Sequence, residues 1–272
     1  MKQLVLAPDA PAVQYGAGLF ETILVVRGLP LLLGAHLDRL TAAIRELELP
    51  PVSLSEMVEA IEPALVSIGA APEAVLRIAY LAIDRDLDER ASWRLVTSYG
   101  PVAPEILARR RYGRVVLLDP SFRRGLAHLK TTSYFPAVIA LRKARAAGAD
   151  EGLFTDARGR ILEGTTTNVF AIDGEALITP PAGSGLLNGV TRQWTIDCAR
   201  RLGIRIRERS LSGDDLLGGS FLTGSLTRLV PIRRVDGEKS NPPGKIFDLI
   251  RRIFDREVVE GESGELPDSA SD

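Results

Sequence analysis

At His36 the apolar pattern of this sequence changes period, and similar changes recur along the chain. Residues 21–26 form a β-branched run of strand type, and Gly28-Leu29-Pro30 turns it back as a hairpin into Leu31-Leu32-Leu33. From His36 onward, Leu37, Leu40, Ile44 and Leu47 fall at helical spacing, giving an amphipathic helix that Pro50-Pro51 ends. Ser53 and Glu56 are the capping-box pair of a second helix running to about Gly69, with Pro63 expected to kink or interrupt it. Strand patterns return at 75–83 and 93–98, joined by the charged turn 84–90. A chain that keeps exchanging strand and helix periods belongs to the mixed α/β (α+β) class.

The second half repeats the alternation. A Pro-containing basic segment, 102–113, reads as a connection, and 114–118 is the next strand. Pro136 suits the first turn of a helix that runs to Ala147, with Gly148 as its C′ residue. Short strands follow at 151–155, 167–172 and 176–179, the first two separated by the turn Asp156-Ala157-Arg158-Gly159. A helix over 191–202 is closed by Gly203, strands come at 204–208, 220–223 and 230–235, and a last helix spans 246–254. From Glu257 the chain is acidic and poor in apolar residues, which predicts a disordered tail. The expected division is a small domain over 1–101, the connection 102–113, a larger domain over 114–256, and the tail 257–272.

Bulk properties narrow the function. With 45% hydrophobic residues, 25% charged residues and a net charge of −1, the chain is an ordinary soluble type with no pull toward nucleic acid or membrane. Arg109-Arg110-Arg111 and Arg123-Arg124 read as solvated surface. Cys198 is the only cysteine, and no Cys/His set has metal-ligand spacing, so no metal is expected. His36 and His128 stand far apart and read as structural. The first nine residues lack the pattern of a signal sequence, and the apolar run 29–33 is too short to span a bilayer. A cytoplasmic enzyme is expected.

The chemistry-bearing residues lie in four places: Leu129-Lys130-Thr131-Thr132-Ser133-Tyr134, then Glu163-Gly164-Thr165-Thr166-Thr167-Asn168, then Gly189-Val190-Thr191-Arg192, then Thr223-Gly224-Ser225-Leu226. Taken singly they are a surface lysine, a polar residue at a strand turn, a helix N-cap and an ordinary turn. Taken together they are the parts of a pyridoxal-phosphate site. Lys130 offers an amine to hold the cofactor as an imine and then move a proton at the substrate carbon. Glu163 offers an anion to the protonated pyridine nitrogen. The two turns of small residues offer backbone N–H groups and a hydroxyl to a phosphate.

In these segments, and in Tyr15-Gly16-Ala17-Gly18-Leu19-Phe20-Glu21-Thr22, His36-Leu37-Asp38-Arg39-Leu40 and Thr179-Pro180-Pro181, the chain resembles the class IV aminotransferases, the fold-type IV pyridoxal-phosphate enzymes. The resemblance runs from Tyr15 to about Gly237. It implies a two-domain fold, with a strand-rich, barrel-like core in the larger C-terminal domain and the cofactor between domains. It also implies a homodimer whose partner loop closes the substrate pocket. Arg39 resembles the arginine that contacts the phosphate, with Val190, Thr191, Ser225 and Leu226 completing the cradle. Tyr134 resembles the tyrosine that bonds the ring hydroxyl, although it stands closer to the lysine than in branched-chain enzymes. Tyr15 and Phe20 match positions on the substrate side, and serve equally well as simple core.

The family runs several reactions on one site, so the substrate side must separate them. This chain lacks the Arg-x-His arrangement of D-amino acid aminotransferases and the Arg-Pro type motif of branched-chain enzymes. Asp84-Arg85-Asp86-Leu87-Asp88 replaces the glycine-rich loop of many lyases. The short chain, the lysine-to-glutamate spacing and Thr223-x-Ser225-Leu226 favour aminodeoxychorismate lyase, which serves folate synthesis. An amino acid transaminase and a cofactor-binding non-enzyme are the alternatives.

Overall fold

The computed structural model describes residues 5–122 and 124–261. They divide into two compact units. The first comprises the described residues up to Val102, the segment Lys130–Thr132, and those from Arg251 onward; the second comprises Ala103–Leu129 and Ser133–Ile250.

The first unit contains α1 (Pro11–Gln14), β1 (Gly18–Val26), β2 (Leu29–Pro30), α2 (Leu33–Glu46), α3 (Leu54–Ile68), β3 (Glu73–Ala82) and β4 (Trp93–Gly100). Its sheet has the order β2-β1-β3-β4 with every neighbour antiparallel. Ile23, Leu24 and Val25 of β1 are fully buried, as are Leu37 and Leu40 of α2 and Met57 and Ile61 of α3. Each such side chain contributes ~1.5–3 kcal/mol of burial. The hairpin turns on Arg27 and Gly28, both at positive φ (50° and 83°), the pairing a two-residue turn of this hand needs. The returning strand is shorter than the sequence suggests. It stops at Pro30, and Leu32 (φ 54°) swings the chain into α2 at Leu33. Pro63 does not break α3. It sits on the exposed face, where water can take the carbonyl that its missing N–H releases.

The second unit contains α4 (Pro104–Arg109), β5 (Gly113–Leu117), α5 (Phe135–Ala146), β6 (Glu151–Thr155), β7 (Ile161–Gly164), β8 (Asn168–Asp173), β9 (Ala176–Thr179), α6 (Val190–Arg201), β10 (Arg205–Glu208), α7 (Gly213–Leu217), β11 (Ser220–Gly224), β12 (Arg228–Val235), β13 (Glu238–Lys239) and α8 (Gly244–Phe254), whose last turn is counted with the first unit. The strand order is β10-β9-β8-β11-β12-β5-β6-β7, with β13 on β12. Ile161 of β7 then bridges Leu211, just past β10, so the sheet's two ends meet and it curls into a barrel. Val115, Leu153, Val169, Ile178, Leu222 and Val230 fill one buried cluster of that barrel. Two parallel pairs matter for the site. β5 and β6 need a crossover, which carries residues 118–134 and α5; β9 and β10 need another, which carries α6. The loops that lead into these crossover helices carry Lys130 and Tyr134 before α5 and Gly189 before α6.

Several expectations change here. The connection 102–113 holds a helix, α4, because Pro104 is preset for a helical first turn. The strand β7, unforeseen in the sequence, carries Glu163. Residues Asp255–Val259 form a helical turn with Val258 buried, so ordered structure continues past Glu257; the rest of the expected tail, 262–272, lies outside the described residues. The arginine clusters are not simply solvated. Arg110 donates from Nε and Nη2 to the Leu226 carbonyl (3.0 and 2.7 Å), and the Arg124 side chain is only 4% exposed. Arg123 lies outside the described residues.

Candidate active site

In the first unit, Lys130 belongs to a three-residue strand-like splice on β1. The Phe20 amide donates to the Lys130 carbonyl (2.9 Å), Thr131 bridges Leu19, and the Thr132 amide donates to the Gly18 carbonyl (2.8 Å). Gly18 leaves no room for a side chain between the splice and β3: a Cβ there would stand 3.0 Å from Thr132 Oγ1 and 2.9 Å from the Tyr80 carbonyl. The Lys130 ammonium lies over the Phe20 ring, 4.4 Å from its centroid. Phe20 is thus buried and in contact with the lysine, whereas Tyr15 is 72% exposed and is not core.

Arg39 grips Glu21 with two donors, Nε to Oε1 (2.7 Å) and Nη2 to Oε2 (2.6 Å). His36 Nδ1 lies 2.7 Å from the same Oε2. Burial pushes the Glu21 carboxyl up, but the Arg39 charge and the hydrogen bonds from His36 and Arg39 outweigh it and bring it down to about 2. Burial depresses His36, against the opposing pull of the Glu21 carboxylate. The rigid fork of Arg39 is thereby fixed in orientation.

In the second unit, both oxygens of Glu163 are engaged. Arg124 Nη2 donates to Oε1, and the Leu187 amide donates to Oε2 (3.1 Å). Burial works against the Arg124 charge, yet Glu163 and Tyr134 raise its pKa overall. The Arg124 guanidinium also faces the Tyr134 ring at 5.1 Å. Tyr134 itself is the N-cap residue of α5.

Three turns converge near this pair. Asn168 pairs with Thr223 across β8 and β11, and its Nδ2 donates to the Leu187 carbonyl (2.8 Å). Gly189, the N-cap of α6, has no room for a side chain, since a Cβ would fall 2.1 Å from Asn168 Oδ1. Val190 and Thr191 open the helix with no side-chain cap, leaving its first N–H groups to an anion. On the other side, Gly224 would place a Cβ 2.7 Å from Thr227 Oγ1 and 3.4 Å from Thr167. Thr223 Oγ1 and Thr227 Oγ1 are buried with no partner among the described residues. Ser225 and Leu226 lie between them, and Arg110 holds the Leu226 carbonyl. Behind the threonine turn sits buried Glu151. It takes the Thr165 amide (3.1 Å), the Thr166 hydroxyl (2.7 Å) and the Thr165 hydroxyl.

Orphaned hydroxyls, an uncapped helix start, two glycines with no room for Cβ and a buried acidic group suit a phosphate-bearing, nitrogen-heterocyclic cofactor. Fold and site together define an α/β enzyme built around such a group. Residues 18–235 match the family described as amino-transferase class IV, and the chain belongs to that family. It is 31% identical over 280 residues to a bifunctional aminodeoxychorismate lyase / D-amino acid transaminase of Mycobacterium tuberculosis, covering 94% of each chain. It is 25% identical to an aminodeoxychorismate lyase of Bacillus subtilis, over 94% of this chain and 91% of that one. A PLP-bound form of a hypothetical aminotransferase from M. tuberculosis superposes with a TM-score of 0.84 at 28% identity, covering 96% of this chain and 95% of that one. The fold is the fold-type IV architecture, and the cofactor of the family is pyridoxal 5′-phosphate.

Some participants were visible only in the structure. Arg124 is hidden in a basic pair that reads as surface. Glu21 stands in a recognised segment that says nothing of its partner Arg39. Glu151 has one sequence signal, three consecutive threonines that need an acceptor. Among the described residues no helix is long and apolar enough to cross a membrane.

Proposed function

We propose that this enzyme is a 4-amino-4-deoxychorismate lyase, releasing pyruvate and leaving 4-aminobenzoate for folate synthesis. The observation that carries the reading is the match, over more than nine-tenths of both chains, to two relatives named for that lyase. When bound, pyridoxal phosphate supplies the electron sink that lets the amine-bearing carbon lose a proton. Lys130 would hold the cofactor through its amine and would be the base that carries the proton from the amine-bearing carbon. Glu163, held by Arg124 and the Leu187 amide, would accept from the ring nitrogen and would keep it cationic. Arg39, the Val190–Thr191 helix start and the Ser225–Leu226 turn bind the phosphate. Tyr134 meets the ring hydroxyl, and Tyr15 and Phe20 line the substrate side.

The name of the M. tuberculosis relative also supports a transaminase reading on D-amino acids, and a relative from Methanocaldococcus jannaschii named putative branched-chain-amino-acid aminotransferase supports one on branched-chain donors. The deciding assay offers aminodeoxychorismate to the loaded enzyme and follows pyruvate, then offers a panel of amino donors with a keto acid. Pyruvate release is expected; amino transfer without it would defeat the lyase assignment. The reading includes a cytoplasmic homodimer, and sedimentation at monomer mass would remove the dimer from it.

A further inference from the structure

Among the described residues three acidic side chains are buried: Glu21, Glu151 and Glu163. Two of them meet a guanidinium, Arg39 for Glu21 and Arg124 for Glu163, but Glu151 makes no ion pair among the described residues. Six neutral donors surround it instead. Oε1 accepts from the Gly152 amide (3.0 Å), the Thr165 amide (3.1 Å) and the Thr165 hydroxyl. Oε2 accepts from the Thr166 hydroxyl (2.7 Å), the Thr166 amide (3.3 Å) and the Thr167 hydroxyl (3.3 Å). A buried carboxylate is costly unless its lone pairs are filled, so carboxylate and donors hold one another in place. Main-chain N–H groups can only donate, and each oxygen faces at least one, so an acceptor is needed on both sides.

The three threonines are the interior of a turn that ends at Glu163 and Asn168. The Gly164 amide closes it on the Thr167 carbonyl (2.7 Å), and a Cβ on Gly164 would fall on Thr167 Oγ1. Both ends of the turn hold Leu187: Glu163 Oε2 accepts from its amide, and Asn168 Nδ2 donates to its carbonyl. Leu187 leads directly into Gly189, the N-cap of α6. The turn also backs the β11–β12 hairpin, since a Cβ on Gly224 would stand 3.4 Å from Thr167 Cγ2 and 3.5 Å from the Thr166 carbonyl.

We propose that Glu151 is a positioning residue for the cofactor site. By gathering the threonine turn it aligns Glu163, the start of α6 and the Gly224–Leu226 hairpin turn with one another, and it acts through those groups. This role rests on the reading of Glu163 as partner of the ring nitrogen and of the α6 start and the Ser225–Leu226 turn as the phosphate cradle. Without the carboxylate the turn relaxes, and a site preorganised for two ends of one ligand loses their common alignment.

The test titrates the full-length apo-protein with pyridoxal phosphate and with pyridoxal, which lacks the phosphate, at a temperature where circular dichroism shows each variant folded. Glu151→Ala should weaken pyridoxal phosphate about thirtyfold and pyridoxal only about threefold, because the phosphate alone uses the hairpin turn and the α6 start. Glu151→Asp keeps the charge but is one methylene short of its donors, and should weaken pyridoxal phosphate about tenfold. Glu151→Gln keeps the reach and gives up the long Thr166 amide contact, for a loss of about threefold. Thr166→Val, at an exposed residue, removes one hydroxyl donor and should also weaken pyridoxal phosphate about threefold, with Thr166→Ser restoring it. A purely structural role predicts lower melting temperatures with unchanged affinities, or equal losses for the two ligands. Either result would overturn the proposal, as would Glu151→Gln binding worse than Glu151→Asp. Should Glu151→Ala not fold, Glu151→Gln and the two Thr166 variants decide. Ser225→Ala separates this role from the reading beneath it. If that change leaves pyridoxal phosphate affinity intact, the cradle reading fails and takes the role of Glu151 with it; if it weakens binding while the Glu151 series does not, the role of Glu151 alone fails.

Discussion

Arg124 donates to Glu163 from a side chain 4% exposed to one 6% exposed, so each is the other's charge partner in a nearly dry setting. Removing one member of such a pair is worse than neutralising it. Arg124→Leu should cost about 3–5 kcal/mol, because Glu163 is left buried and unpaired. Glu163→Gln keeps an acceptor for the Leu187 amide and should cost about 1–3 kcal/mol. Urea unfolding of both variants measures the difference, and equal losses would show that the charge is not what matters there.

Glu21 gives the chain an acid-sensitive term. Its carboxyl sits near 4.5 unperturbed and near 2 in the folded chain. The folded value is depressed, so the stabilisation is complete above about pH 4.5 and is lost as pH falls toward 2. Glu21→Gln should be less stable than the parent at pH 7 by about 3 kcal/mol, and the two should converge near pH 2. Denaturant midpoints measured across that window are the check. A gap that persisted at pH 2 would point to packing rather than ionisation.

Gly189 and Asn168 compete for one volume. Gly189→Ala places a methyl 2.1 Å from Asn168 Oδ1 and should destabilise by about 1–3 kcal/mol while weakening cofactor uptake. Shortening the neighbour in Gly189→Ala/Asn168→Ala should recover part of the packing loss, which a double-mutant cycle reads as non-additivity. Strict additivity would mean that the loop moves aside freely.

Lys130 is held by main-chain bonds that do not depend on its side chain. Lys130→Ala should therefore fold with an unchanged melting temperature, yet lose about 10²–10⁴-fold in turnover. Borohydride treatment followed by intact mass should add the cofactor to the parent and not to the variant.

Much of this was legible in the residues, and the exceptions have physical causes. The capping box at Ser53 and Glu56, the Gly148 and Gly203 helix stops and the positions of most strands follow local rules, which need only near neighbours in sequence. The strand β7 was missed because Glu163 and Gly164 break its apolar pattern, and the structure accepts a buried acid there only because Arg124, far away in sequence, pairs with it. The same reasoning covers Glu21 and Glu151: a buried carboxylate looks like a surface residue until its donors are known. Tyr15 is the converse case, an aromatic in an apolar stretch that the fold leaves in solvent.

Lys130, Thr131 and Thr132 occupy the edge of β1 whose far end is taken by β2, although the chain on both sides of them is counted with the other unit. No uninterrupted stretch of gene encodes either half of this enzyme. A break between residues 102 and 103 would strip the amine from the sheet that seats it, so complementation by two separately expressed halves should fail unless those three residues travel with the N-terminal piece.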